Sequence, residues 1–144
     1  MNELVSVIIP VYNVGEILRE SVDSLLLGEY QKLEILIVDD GSDEQTAKMC
    51  DYISGKDERI KVKYRKKNGH ISRSTNDALD MSKGEFIALV DNDDLLSENA
   101  LYEVVKVLND NKKLDFIYSD EDKINLDGKR CDPHFKPDWS PDTL

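Results

Sequence analysis

Residues Leu33 to Ser42 read Leu-Glu-Ile-Leu-Ile-Val-Asp-Asp-Gly-Ser. The run is apolar apart from Glu34 and rich in branched side chains, which suits a strand covered on both faces. Two carboxylates and a glycine then end it abruptly. The same grammar recurs on either side. Leu4–Pro10 (LVSVIIP) runs into Val11-Tyr12-Asn13, and Glu85–Val90 (EFIALV) runs into Asp91-Asn92-Asp93-Asp94. Ile60–Tyr64 is shorter and more polar, so it is expected near a sheet edge, and Leu114–Tyr118 (LDFIY) is expected as a fifth strand. Between these runs the apolar period changes to that of a helix. Ile17, Leu18, Val22, Leu25 and Leu26 mark one helix, Thr46, Met49, Cys50 and Ile53 a second, and Leu101, Val104, Val105 and Leu108 another. Ile71–Met81 carries a weaker one. Strand-helix alternation predicts an α/β fold, a doubly wound and mostly parallel sheet with helices on both faces. Ligands of such sheets bind outside the carboxyl ends of the strands, at a topological switch point. The polar clusters after the first, second and fourth strands are therefore the candidate site.

Composition narrows the chemistry. The chain has 144 residues, enough for one ordinary domain with a real core. It carries 30 acidic against 19 basic residues, a formal net charge of −11. That balance argues against nucleic acid, whose binders present a basic face, and it suits a protein that holds cations. Cys50 and Cys131 lie far apart, with no His or Cys at zinc-ligand spacing, so neither a zinc site nor a disulfide framework is expected. Cys50 falls on an apolar helix face and reads as a buried thiol. The N-terminal MNELVSVIIP lacks the basic region of a signal peptide, and no stretch approaches a membrane span. The expected location is cytoplasmic, with any peripheral attachment to the inner face of a membrane made through other parts.

In the first cluster, Pro10-Val11-Tyr12-Asn13, the tight exit from the sheet sets an aromatic ring and backbone groups where a base could stack and bond. In the second, Asp39 and Asp40 precede Gly41-Ser42-Asp43. Ser42 or Asp43 suits the N-cap of the next helix, which leaves Asp39 for a ligand. In the third, three Asp in four residues repel one another unless a cation neutralises them. Hard oxygen ligands of this kind suit Mg²⁺ or Mn²⁺, so Asp91 and Asp93 are the expected metal ligands, while Asp94 is expected to begin or cap the next helix. An EF-hand is excluded: Leu96 stands where its turn glycine would be, and Tyr102 where its last glutamate would be. No glycine-rich phosphate loop is present either, which favours a metal-dependent nucleotide-diphosphate site.

The runs SVIIPVYN, IVDDGSD, NGHISRSTNDAL and KGEFIALVDNDD, in this order and spacing, closely resemble the inverting family-2 glycosyltransferases of the GT-A fold. The tail YSDEDKI…FKPDWSPD resembles a bacterial subgroup that builds surface polysaccharides. The resemblance implies a nucleotide-diphosphate sugar, a UDP-sugar foremost, as donor and a carbohydrate or lipid-linked hydroxyl as acceptor. It also implies that Pro10, Val11 and Tyr12 line a uracil pocket, with Asn13 beside them, and that Asp39 accepts from the base. Asn92 and Asp93 would contact ribose and metal, with Asp93 the direct ligand and Asp91 its partner, and the stretch Asn68–Asn76 would flank the nucleotide, with Arg73 available to a phosphate oxygen. The family's run is nearer N-G-G-I-S, and His70 stands at its second glycine.

The resemblance also implies a carboxylate general base on the acceptor side, beyond Leu144, so no catalytic base is assigned here. Asp120, Glu121 and Asp122 form the later acidic cluster. The expected organisation is a nucleotide-sugar-binding domain over 1–119 and an extended segment over 120–144 that begins an acceptor half, with Asp127-Gly128 as a hairpin turn. Such a chain is expected to bind nucleotide weakly and to transfer sugar poorly by itself. Three other readings stand beside this one. A flavodoxin-like phospho-acceptor domain would want a Lys directly after strand five, where Ser119-Asp120 stands. A nucleotidyltransferase would want a basic, glycine-rich loop after strand one. A non-catalytic nucleotide-binding module needs neither.

Overall fold

In the computed structural model, which describes residues 3–140, four strands form one parallel sheet. These are β1 (Val5–Val11), β2 (Leu33–Asp39), β3 (Ile60–Tyr64) and β4 (Phe86–Leu89), in the order β3-β2-β1-β4. Met1, Asn2 and the last four residues of the tail lie outside the described residues. Val5 lies opposite both Leu33 and Phe86, and Val11 lies opposite Asp39, so β1 and β2 end level with each other. The order turns back at β1, which puts the switch point beside its carboxyl end. As its polarity suggests, β3 is an edge strand.

Helices α1 (Ile17–Leu26), α2 (Glu44–Ser54), α3 (His70–Met81) and α4 (Ala100–Asp110) follow the four strands in turn. Strand side chains alternate between faces, and both faces of β1 and β2 are covered, which is why these two read as nearly continuous apolar runs, while β3 and β4 are partly exposed. Val7, Ile9, Ile35 and Ile37 pack with Leu18 and Val22 of α1, Cys50 and Ile53 of α2, and Val105 of α4. Ile8, Leu36 and Val38 pack on the other face against Ala78 and Met81 of α3. Each fully buried aliphatic side chain contributes about 1.5–3 kcal/mol. Cys50 is wholly buried. Burial above all, with Asp39 and Asp51 adding to it, pushes its thiol up to about 12, so it packs rather than reacts.

Glu34, one of the two charges in β2, is buried and fully engaged. It accepts the Ser6 hydroxyl, the Lys61 ammonium and the Lys83 backbone N–H, each at 2.7 Å. The Ser6 Oγ in turn accepts the Gly84 N–H at 2.8 Å. This network ties the α3–β4 connection to the sheet. Burial raises the Glu34 pKa, but the three hydrogen bonds outweigh it and hold the carboxyl below its ordinary value. The depressed value means that its stabilisation is present above the unfolded value of about 4.3 and is lost as pH falls through the folded one. Acid unfolding followed by circular dichroism should show Glu34→Gln less stable than the wild type at pH 7, with a shallower loss below about pH 4. An unchanged acid slope would contradict this role.

The chain divides into two units, Met1–Asp110 and Asn111–Leu144, each described here by itself. In the second, the expected strand at Leu114–Tyr118 does not form. A strand needs a ladder partner, and this stretch has none among the described residues. Its rings turn to each other instead. Phe116 and Tyr118 pack against Trp139 with centroids 5.5 and 6.4 Å away, and the Tyr118 hydroxyl donates to the Pro137 carbonyl at 2.6 Å. The regular structure of this unit is a hairpin of β5 (Glu121–Ile124) and β6 (Arg130–His134). Its turn contains Asp127-Gly128 as expected, closed by Gly128 N–H to the Asn125 carbonyl at 2.9 Å. Among the described residues no helix is long and apolar enough to cross a membrane.

Candidate functional site: a cleft at the carboxyl ends of the strands

Three strand exits meet at the switch point. The β4 exit is fastened to the β1 exit, because the Asn92 side-chain amide donates to the Pro10 carbonyl at 2.9 Å. The Ser21 hydroxyl of α1 donates to the Asp91 carbonyl at 3.4 Å, and the Asp94 N–H closes a turn on that same carbonyl at 3.2 Å. Asp94 does not begin the next helix, as α4 starts only at Ala100.

The β1 exit is stitched to the start of α2. Asn13, at φ 53°, donates its N–H to the Ser42 hydroxyl at 3.0 Å and accepts the Asp43 N–H on its side-chain oxygen at 2.8 Å. Of the two candidate caps, Asp43 is the N-cap, accepting the Thr46 N–H at 2.8 Å. Asn13 is thus engaged as a latch. Asp39 is buried, and one of its oxygens accepts the Ser42 N–H at 3.0 Å. Its other oxygen has no protein partner among the described residues.

Asp40, the second carboxylate of that pair, holds the loop before α3. It accepts the Gly69 N–H on both oxygens, at 2.9 and 3.0 Å. The Arg65 Nε lies 2.8 Å from it, as an ion pair rather than an aligned hydrogen bond. Arg65 also pairs with Asp77 on α3, which Lys63 joins at 3.1 Å. A Cβ on Gly69 would fall 2.5 Å from the Arg65 guanidinium, so a larger residue there would require the Arg65 side chain to shift.

Between these exits lies an open cleft of about 710 Å³, within the range of small-molecule sites. Pro10, Val11 and Tyr12 line one side, Asp91 and Asn92 another, and Asp40, Asn68, His70, Ile71 and Ser74 the third. A second concavity, by Tyr30 and Leu96, has room for only about 10 Å³, roughly one water. Five of the nine residues singled out from the sequence line the cleft: Pro10, Val11, Tyr12, Asp91 and Asn92. Asp93 is exposed in the same turn as Asp91, and Arg73 is exposed one turn along α3 from His70. Asn68, His70, Ile71 and Ser74 fall in the stretch Asn68–Asn76 expected to flank a nucleotide, whereas Asp40 was not singled out as a lining residue.

The model of glycosyl transferase family 2 matches residues 6–138. The chain belongs to this family. Among its relatives, glycosyltransferase GlyG of Streptococcus pneumoniae is 39% identical over 101 residues, which is 70% of this chain and 34% of GlyG. The O-antigen biosynthesis protein RfbC of Myxococcus xanthus is 35% identical over 143 residues, 98% of this chain and 11% of RfbC. The chain therefore spans about a third or less of the length of these relatives.

Solved structures agree in fold. S. aureus TarS 1–349 in complex with UDP-GlcNAc superposes with a TM-score of 0.68 at 29% identity, covering 74% of this chain and 31% of that one. The mannosyltransferase PcManGT from Pyrobaculum calidifontis, in complex with GDP-Man and Mn²⁺, gives a TM-score of 0.70 at 25% identity over 75% of this chain and 33% of that one. The family-2 chain thus has the α/β architecture of these transferases, with its cleft at the β1 switch point.

Proposed function

We propose that this chain is the donor-binding part of a metal-dependent, inverting glycosyltransferase that takes a UDP-sugar and serves polysaccharide synthesis. One observation carries the reading: the cleft wall combines an exposed aromatic ring, Tyr12, with an exposed carboxylate, Asp91, whose side chain has no protein partner among the described residues. Tyr12 is 50% exposed at the cleft wall, which suits stacking on a base. Asp39, beside it, has an oxygen left for a base N–H. Asn92 is positioned for ribose by its bond to Pro10.

Asp91 and Asp93 would hold Mg²⁺ or Mn²⁺. Among the described residues no three potential ligands cluster, and these two ions characteristically take one or two carboxylates and complete their shell with water and substrate phosphate. Two neighbouring carboxylates without protein partners fit that demand. Such an ion, when bound, supplies charge stabilisation to a departing nucleotide diphosphate. The protein's part is to fix the donor so that one backside attack at the anomeric carbon inverts it. In the Asn111–Leu144 unit, Glu121 pairs with Lys136 and Asp122 with Arg130, while Asp120 accepts the Lys136 N–H. These carboxylates are engaged, and none is assigned as general base. The solved relatives bound to UDP-GlcNAc and to GDP-Man with Mn²⁺ support the donor class.

Calorimetric titration with UDP, GDP, UMP and inorganic phosphate, each with and without Mn²⁺, tests the reading. UDP binding that strengthens at least about tenfold with Mn²⁺, roughly 1.4 kcal/mol, is expected. Absence of any nucleotide binding would overturn it.

A further inference from the structure

The wall of the cleft carries little positive charge of its own. A nucleotide diphosphate is strongly anionic, yet the ionisable lining side chains are Asp40, Asp91, Tyr12 and His70, with no Lys or Arg among them. His70 is the lining side chain able to carry a positive charge. Most polar groups of the wall are already engaged. Asn68 accepts the His70 N–H at 3.0 Å, the Ser74 hydroxyl donates to the His70 carbonyl at 3.2 Å, and Asn92 is bonded to Pro10. The side chains of Tyr12, Asp91 and His70 have no protein partner among the described residues. The first two already have work in the donor site. His70 does not.

His70 also adopts a backbone conformation that costs free energy. Its φ is 65°, in the left-handed region that glycine enters freely and that other residues enter only against a steric cost. It opens α3, whose N-cap Gly69 offers no side-chain cap, so the positive end of the helix dipole lies beside it. A glycine would satisfy the backbone better and leave the cleft without this side chain.

Resting on the donor-site reading above, we propose that His70 is a donor-contacting residue whose imidazole N–H hydrogen-bonds a diphosphate oxygen, opposite the side served by Asp91 and Asp93. The strained backbone at His70 is the cost of placing that group. His70→Gly separates the two effects. It should unfold at the same urea concentration as the wild type or a higher one, because the left-handed strain is relieved. Its affinity for UDP at saturating Mn²⁺ should fall about tenfold, while UMP, with one phosphate fewer, should lose less. His70→Asn, which tolerates the same φ and keeps an N–H donor, should recover part of the loss. A His70→Gly variant that is folded and binds UDP as tightly as the wild type would overturn the proposal while leaving the donor site standing. A wild-type chain that binds neither UDP nor GDP would overturn both.

Discussion

Replacing Asp91 and Asp93 together by Ala should abolish the Mn²⁺ dependence of UDP binding. Affinity in the presence of Mn²⁺ should fall by about a hundredfold, roughly 3 kcal/mol, to the level the wild type shows without metal. Both residues are exposed and neither side chain bonds the protein, so unfolding should move by no more than about 0.5 kcal/mol. Removing two like charges from a crowded turn should, if anything, favour the folded chain. The turn itself survives because it is built from the Asp91 carbonyl, bonded by Ser21 and the Asp94 N–H, and from the Asn92 amide on Pro10. Undiminished Mn²⁺ dependence in the double variant, measured by calorimetry, would place the ion elsewhere and remove the basis for reading this turn as a metal site.

The second large effect concerns the sheet rather than the cleft. Gly84→Ala should destabilise the chain by about 3 kcal/mol, a large share of the roughly 5–15 kcal/mol available to a small domain. A Cβ at Gly84 would fall 2.6 Å from the Ser6 nitrogen and 2.7 Å from both the Leu4 carbonyl and the Ser6 Oγ. Two of these are backbone atoms of β1 and its approach, which cannot swing aside as a side-chain tip can. Relief requires β4 to move away from β1, which weakens the Gly84 N–H bond to Ser6 and loosens the Glu34 network. Gly55→Ala is the control. Gly55 ends α2 with φ −78°, and its Cβ would meet nothing nearer than 3.6 Å, so it should be neutral or slightly stabilising. Equal urea midpoints for Gly84→Ala and the wild type would refute the close approach.

Much of the fold was legible because its two signals are local. The two central strands bury both faces, so they need mostly apolar residues on both, and the sequence has them at Val5–Val11 and Leu33–Asp39. The helices bury one face each, and their periods mark it. The failure at Leu114–Tyr118 has the same root. Branched and aromatic residues favour a strand only where a neighbouring strand exists to pair with, and that is not a property of five residues. At the site, residues that follow a strand directly could be read from order alone, which is why Tyr12, Asp91 and Asn92 were found. Asn13 and Asp40 could not be sorted this way. One latches β1 to α2 and the other anchors Gly69 under Arg65, through partners up to thirty residues away.

By itself, then, the sequence determined the class of the fold, the strand ends where polar groups gather, and the crowding of carboxylates in VDNDD. These follow from burial, periodicity and charge, each of which acts between near neighbours. Only the tertiary structure decided which carboxylate is engaged in holding a loop and which is left for a ligand. It also decided that His70 stands at the cleft in a backbone state glycine would prefer. Both depend on distances between segments that chain order does not encode, and on which hydrogen bonds the protein satisfies internally before a ligand arrives.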